Sequence, residues 1–222
     1  MPDFDLLNLP DEIICKIIII IGEESFWIVG PFIRVGKRGY GLVHEPCVLK
    51  RCNISPMLDF GNCEIGTCGK FRNFFLKCVN VGNINAVYYE SLHLAMKCGL
   101  EEGIQVLEAN VPNHGMSTLA LGIFNVCLGK DIEASEVFQE FAVKHAALRS
   151  EQVIGMGDQL MLQLSLFHTP WLNSYSQTFK FPDDEVIQPP KCIYVHDYTD
   201  EIEGSCQNCR LFWIYCNVCS ML

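Results

Sequence analysis

The residues best suited to chemistry in this chain are the cysteines near its C-terminus. Cys206 and Cys209 form one Cys-x-x-Cys pair, Cys216 and Cys219 form a second pair, and six residues separate the two pairs. Four thiolates arranged in two such pairs can surround one zinc ion tetrahedrally, with zinc–sulfur distances of about 2.3 Å. The spacing therefore indicates a candidate structural zinc site at these four cysteines.

Three alternatives to a four-cysteine site stay open. The separation between the pairs is shorter than in most zinc ribbons, so one pair could instead bind zinc together with Cys192 or His196. A buried cysteine behaves as a small apolar residue, so the tail could simply pack as part of a core. A redox pair is the third alternative, but such a pair usually opens a helix after a strand, and the sequence predicts no strand there.

No other group of residues has the spacing of a catalytic site. The segment GTCGKF, residues 66–71, lacks both the upstream glycine and the final Ser or Thr of a phosphate-binding loop, so we expect a plain loop. The six histidines are scattered, with no metal-binding spacing. His114 lies between two predicted helices, where we expect it to cap a helix or contact its neighbour. We therefore expect the chain not to be an enzyme.

Composition and charge narrow the choice of partners and compartment. Half of the 222 residues are hydrophobic and the net charge is -10. Such an acidic surface repels nucleic-acid phosphates and anionic lipid, which favours protein partners over nucleic acid or membrane. The chain has 13 cysteines, and acidic residues stand where a secretory signal would be positive. We therefore expect an intracellular protein of the cytoplasm or nucleus, with reduced thiols.

Five consecutive isoleucines, Ile17 to Ile21, are the most apolar part of the sequence. Charged residues bracket them at Lys16 and Glu23, so the run is much shorter than the ~20 residues that cross a membrane. Pro10 suits the first turn of a helix, and we predict a helix over residues 11–21. Such a helix is apolar on nearly every side, and a block of ~50 residues has little core to cover it. We expect a partner to provide part of the cover.

The next elements are predicted from glycine and proline positions. A second helix is expected over residues 24–33, with an interruption at Gly30-Pro31. The glycine-rich residues 35–54 are expected to make a poor helix interior. Ser, Pro, Asp and Gly supply turns in residues 55–70, which we expect to form a loop.

The middle of the chain, residues 71–163, is helical in pattern and contains an internal repeat. A shift of 31 residues aligns residues 85–108 with residues 116–139. Each copy predicts a helix, a break near Gly99 or Gly129, and a second helix. The aligned apolar and small pairs are Leu92 with Ile123, Ala95 with Val126, Gly103 with Ala134, and Leu107 with Phe138. This period is typical of stacked helical hairpins.

Two N-terminal segments resemble a known module. The segment LNLPDEIICKII resembles the opening of an F-box, and RVGKRGYGLVHEPCVLK resembles its ending, although Gly39 stands where a bulky aromatic residue is usual. The resemblance implies a three-helix module that binds a Skp1-type adaptor. The residues that it places on the adaptor-binding face are Leu9, Pro10, Ile13, Ile14, Ile17 and Val35.

The whole chain resembles a plant-type family of F-box proteins with Sel1-like or TPR-like helical repeats and a cysteine-rich end. The segments FLKCVNVGNINAVYYESLHLA and GLEEGIQVLEANVPNHGMSTLALGIFNVCLGK and the closing CQNCRLF and CNVC carry this likeness. It implies a subunit that presents a target protein for ubiquitination by a cullin complex. The alternative is a helical-repeat scaffold whose degenerate F-box has no ligase role.

These expectations combine into a mainly α-helical fold with five parts. They are an F-box-like module (residues 1–55), a linker loop (56–70), a helical-repeat domain (71–166), an irregular linker (167–190) and a small irregular cysteine-rich tail (191–222).

Overall fold

A computed structural model gives the structure of the chain and describes residues 9–58, 64–167, 171–191 and 207–222. These residues form eleven α-helices, two short 3-10 helices and no β-strand, which confirms the predicted mainly helical fold. The helices are α1 (Asp11–Glu24), α2 (Phe26–Arg34), α3 (Lys37–Val43), α4 (Pro46–Arg51), α5 (Arg72–Asn80), α6 (Ile84–Lys97), α7 (Leu100–Leu107), α8 (Gly115–Cys127), α9 (Asp131–Lys144), α10 (Glu151–Leu166) and α11 (Gln207–Met221).

The chain divides into two compact units, Met1–Tyr89 and Glu90–Leu222, with the division inside α6. The first unit therefore extends well past the expected module of residues 1–55. One reason is Asn83, whose buried side-chain amide donates to the carbonyl oxygens of Leu49 at 2.9 Å and Cys52 at 2.8 Å. These bonds satisfy carbonyls at the end of α4 and connect them to the start of α6.

Helix α1 begins after Pro10, as predicted, and continues three residues beyond the predicted end at residue 21. Its inner face contributes Ile14 and Ile18 to a core that also contains side chains of α2, α3 and α4. The helix ends at Ser25, which has an extended backbone and accepts the backbone N–H of Trp27 on its hydroxyl at 3.3 Å. Ser25 is thus the N-cap of α2, which separates the two helices by a single residue.

The glycine-rich stretch after α2 forms two helices, α3 and α4, so the prediction of a poor helix interior is wrong there. The described residues 9–55 accordingly contain four α-helices, where three were expected. Gly36, with φ +108°, turns the chain into α3. A Cβ atom on Gly39 would overlap the carbonyl oxygen of Phe32 in α2. The close packing of α3 on α2, which only glycine permits, outweighs the low helix propensity of this residue.

The two predicted hairpins are present as α6 with α7 and α8 with α9. Gly99 and Gly129 form their breaks with φ values of +123° and +76°, conformations that favour glycine. All eight residues of the four aligned pairs are buried, and all lie in the second unit. A Cβ atom on Gly103 would lie 2.8 Å from the Cβ of Ala95, so this pair marks the crossing of α6 and α7.

Residues 171–191 form an irregular segment that packs against the helices of the second unit. The Tyr175 hydroxyl accepts the backbone N–H of Leu100 at 3.2 Å, at the start of α7. The Thr178 hydroxyl donates to the carbonyl oxygen of Cys127 at 2.6 Å, at the end of α8. Lys180 forms an ion pair of 2.8 Å with Asp131, in the first turn of α9.

The described part of the C-terminal tail is helical, so the expectation of an irregular segment is wrong for residues 207–221. Helix α11 packs on α8 and α10 and buries Ile214, Tyr215 and Val218 completely. The Tyr215 ring stacks on Phe138 with 5.4 Å between ring centroids. A Cβ atom on Gly157 of α10 would lie 2.7 Å from Ile214 Cδ1, which shows how closely the two helices approach.

Within the described residues, no helix combines the length and the apolar character that crossing a membrane requires.

Candidate docking surface and cysteine cluster

Helix α1 leaves one apolar face outside the core of the first unit. Ile13, Ile17 and Ile20 recur at the spacing that places residues on one side of a helix. Ile13 is 41% exposed and Ile20 is 64% exposed, and Ile17 between them is half-buried. We call these three residues the isoleucine stripe. Exposed aliphatic groups in such a row are typical of a surface that a partner covers.

An apolar groove of about 300 Å³ lies between α1, α2 and α3. We call it the docking groove. It is lined by Ile14, Pro31, Phe32, Val35, Arg38, Gly39 and Leu42.

Arg38 fixes the N-terminal entry to α1 beside the docking groove. Its Nε donates to Asp11 Oδ1 at 2.8 Å, and its Nη2 donates to the carbonyl oxygen of Leu9 at 2.6 Å. Both partners of the Arg38–Asp11 ion pair are exposed, so the charge pair contributes at most ~1 kcal/mol to stability. Its main effect is positional, because it ties the first turn of α1 to α3.

The structure places the predicted adaptor-binding residues in different environments. Pro10 is exposed at the start of α1, whereas Leu9 is half-buried and packs on the core. Ile13 and Ile17 belong to the isoleucine stripe. Ile14 and Val35 meet in the docking groove, and Val35 is 53% exposed there.

Ile14 differs from the other predicted residues, because its side chain is only 5% exposed and forms part of the core. It can contribute the floor of the groove but not a free surface. Ile20 is not among the predicted adaptor-binding residues, although the spacing from Ile13 through Ile17 extends to it. Phe32 and Leu42 carried no such signal, since their place in the groove depends on how α2 and α3 cross.

The described cysteines of the tail lie along one continuous helix. Cys209, Cys216 and Cys219 are all in α11, and Cys206 lies outside the described residues. Seven residues along a helix span about 10 Å, whereas two sulfurs on one zinc ion are about 4 Å apart. Helix α11 therefore does not bring Cys209 together with Cys216. In the part of the chain that the structure describes, no group of three or more His, Cys, Asp or Glu residues could hold a metal ion.

The helix instead brings Cys219 against Cys127 of α8. A hydrogen bond between the two thiols, together with burial, raises the pKa of Cys127 well above its usual value. The same bond lowers the pKa of Cys219. Burial raises the pKa of Cys216 to about 11. These thiols fill the contact between α8 and α11, which matches the alternative that the tail packs as core.

His114 lies at the N-terminus of α8 and contacts the first turn of that helix. Its Nδ1 lies 2.8 Å from the Ser117 hydroxyl, in the first turn of α8, and the Nε2 of His145, after α9, lies 2.8 Å from the carbonyl oxygen of Pro112. Burial, and then the neighbouring His145, lower the pKa of His114. A neutral imidazole in a hydrogen-bonded contact fits a structural role better than a catalytic one.

Comparison with known proteins finds no counterpart for this arrangement: no family model matches the sequence, and neither a curated protein nor a solved structure matches the chain.

Proposed function

We propose that the N-terminal unit is an F-box-like module that binds a Skp1-type adaptor, and that the chain recruits a target protein to a Skp1-cullin ubiquitin ligase. The observation that supports this proposal best is the isoleucine stripe with the docking groove. Together they give the first unit an apolar surface that its own core leaves open. The resemblance of residues 9–49 to an F-box names the kind of protein that would cover this surface.

The energetics favour a partner at this surface. Full burial of an isoleucine side chain is worth about 1.5–3 kcal/mol, so covering Ile13 and Ile20 supplies a useful part of a binding free energy. Interface residues of this kind act as anchors when they are surrounded by other apolar groups that exclude water. The docking groove, which Ile14 of the same helix lines, offers a concave site for an apolar side chain of the adaptor.

The proposed role of the second unit is to hold the target. Stacked helical hairpins present extended surfaces, and this unit also exposes large aliphatic side chains. They are Ile132 at 70%, Val143 at 85% and Leu162 at 64%. In this proposal the chain is a binding subunit and carries out no reaction itself.

Co-expression with a Skp1-type adaptor tests the proposal. We expect the full chain to co-purify with the adaptor, and the double variant Ile13→Asp/Ile20→Asp to lose it, because two charges would have to be buried in an apolar interface. Both positions are exposed, so the variant should keep its helical circular-dichroism spectrum. The control is Ile132→Asp, which changes an exposed isoleucine of the second unit and should bind the adaptor normally.

Two results would count against the proposal. Adaptor binding by the double variant at the level of the native chain would show that the isoleucine stripe is not the docking surface. If the native chain is purified from cells and no cullin co-purifies with it, the result would favour the alternative, a helical scaffold with no ligase role.

A further inference from the structure

The first unit has a second cavity, of about 380 Å³, on another side of α2. It lies between α2 and the segment that leads into α5, and it shares only Pro31 with the docking groove. We call it the aromatic pocket. Its lining residues are Phe26, Trp27, Val29, Gly30, Pro31, Ile33, Arg34, Lys70, Phe71 and Phe74.

Three aromatic rings form one wall of the aromatic pocket. The Trp27 ring centroid lies 4.2 Å from that of Phe26 and 5.0 Å from that of Phe71. The Phe71 ring stands nearly perpendicular to Trp27, with an interplanar angle of 86°. Trp27 is 43% exposed although it is large and apolar. Rings that meet edge to face offer a planar group both stacking and edge contacts.

Two cations complete the lining of the pocket. Arg34 is in the last turn of α2, and Lys70 places its Nζ 5.2 Å from the ring centroid of Phe71. None of the described residues that line the pocket is acidic. The nearby Glu64 carboxylate accepts the backbone N–H of Lys70 at 3.1 Å. The pocket thus combines an aromatic wall with an excess of positive charge.

The segment that carries Lys70 and Phe71 is fixed before any ligand arrives. The backbone N–H of Phe71 donates to the carbonyl oxygen of Glu64 at 3.0 Å. The turn requires glycine at position 69, because a Cβ atom there would overlap the carbonyl group of Glu64. Arg72 donates to the carbonyl oxygen of Ile65 at 3.0 Å, and Ile65 is fully buried. A preorganised wall loses little conformational entropy on binding.

We propose that the aromatic pocket binds a small aromatic carboxylate. Its volume is near the lower end of the ~300–1,000 Å³ typical of small-molecule sites, which suits a ligand of one or two fused rings. The ring system packs on Trp27 and Phe71. The carboxylate accepts charge-assisted hydrogen bonds from Arg34 and Lys70, and the planar guanidinium of Arg34 matches its geometry.

Calorimetric titration of the full chain with 2-naphthoate and with the neutral 2-naphthamide tests this inference. We expect naphthoate to bind about tenfold more tightly, since tenfold corresponds to the ~1.4 kcal/mol of one charge-assisted bond. The variant Arg34→Gln/Lys70→Gln should abolish this preference and leave naphthamide binding nearly unchanged. The control Lys37→Gln/Lys50→Gln removes two exposed charges of the same unit and should keep the preference.

A third variant, Phe71→Leu, should weaken both probes because it removes the perpendicular aromatic wall. Three results would overturn the inference: no binding of naphthoate, equal affinity for the two probes, or an equal loss of naphthoate affinity in the two double variants. The last result would mean that net charge, and not the pocket, attracts the carboxylate.

Discussion

A missing side chain decides how α2 and α3 pack. Gly39 stands where the F-box resemblance leads one to expect a bulky aromatic residue, and the backbone of Phe32 occupies the space that any Cβ atom would need. Gly41 lies two residues further along the same helix, and a Cβ atom there would have no described neighbour within 4 Å. Both glycines lower the helix propensity of α3, but only Gly39 is required by the packing of α3 on α2.

This difference predicts opposite effects of one substitution. Gly41→Ala should raise the free energy of unfolding by about 0.5–1 kcal/mol, because alanine is the better helix former. Gly39→Ala should lower it by about 1–3 kcal/mol, because α3 must shift away from the Phe32 carbonyl. Urea unfolding of the two variants measures both effects, and Gly41→Ala is the control for propensity alone. Equal stabilisation by both changes would contradict the packing of α3 on α2.

The docking surface depends on the same residue. Gly39 lines the docking groove together with Val35 and Leu42, so a shift of α3 would change the groove's shape as well as the unit's stability.

At the scale of elements, α11 is the largest departure from expectation. The sequence analysis predicts a small irregular cysteine-rich tail in residues 191–222. The helix is stabilised by burial on two sides, against α8 and α10, and not by an amphipathic pattern. Gly157 of α10 permits the close approach to Ile214.

A matched pair in α10 tests that contact. Gly157→Ala should loosen α11 and cost about 1–2 kcal/mol, because its Cβ would meet two carbons of the Ile214 side chain at 2.7 and 2.8 Å. Gly155→Ala, with no described neighbour within 4 Å of the new Cβ, should stabilise α10 slightly. Amide hydrogen exchange in residues 207–221 should accelerate in the first variant and not in the second. Unchanged exchange in both would mean that α11 does not depend on α10.

At the scale of the whole molecule, several cysteines are buried in the cores of the two units. Cys52 and Cys78 lie inside the first unit, where burial raises the pKa of each to about 12. Cys127 and Cys219 pair inside the second unit. Cys52, Cys78 and Cys127, whose pKa values are raised in this way, are neutral at pH 7, and only the thiolate binds metal or reacts readily. These three cysteines therefore serve the cores.

This assignment predicts the metal content of the full chain. Purified protein should contain far less than one zinc per chain, and Cys209→Ser should leave that value unchanged, because α11 keeps Cys209 about 10 Å from Cys216. Elemental analysis of both proteins, after dialysis first against zinc and then against buffer, gives the measurement. One zinc per native chain, lost in Cys209→Ser, would contradict this assignment and would make Cys209 a zinc ligand.

The sequence determined the mainly helical class, the first helix after Pro10 and the two hairpins with their glycine breaks. These features follow from local rules: proline and glycine fix backbone angles, and the burial of Leu92 with Ile123 or Leu107 with Phe138 follows a helical period.

Only the tertiary structure decided which isoleucines of α1 stay exposed, that Gly39 is needed against Phe32, and that the cysteine-rich tail is a helix. It also brought Trp27 and Arg34 of α2 together with Lys70 and Phe71, more than thirty residues away. Each of these depends on which surfaces of distant elements meet, and side-chain volume and burial at such contacts outweigh the small propensity differences that a sequence displays.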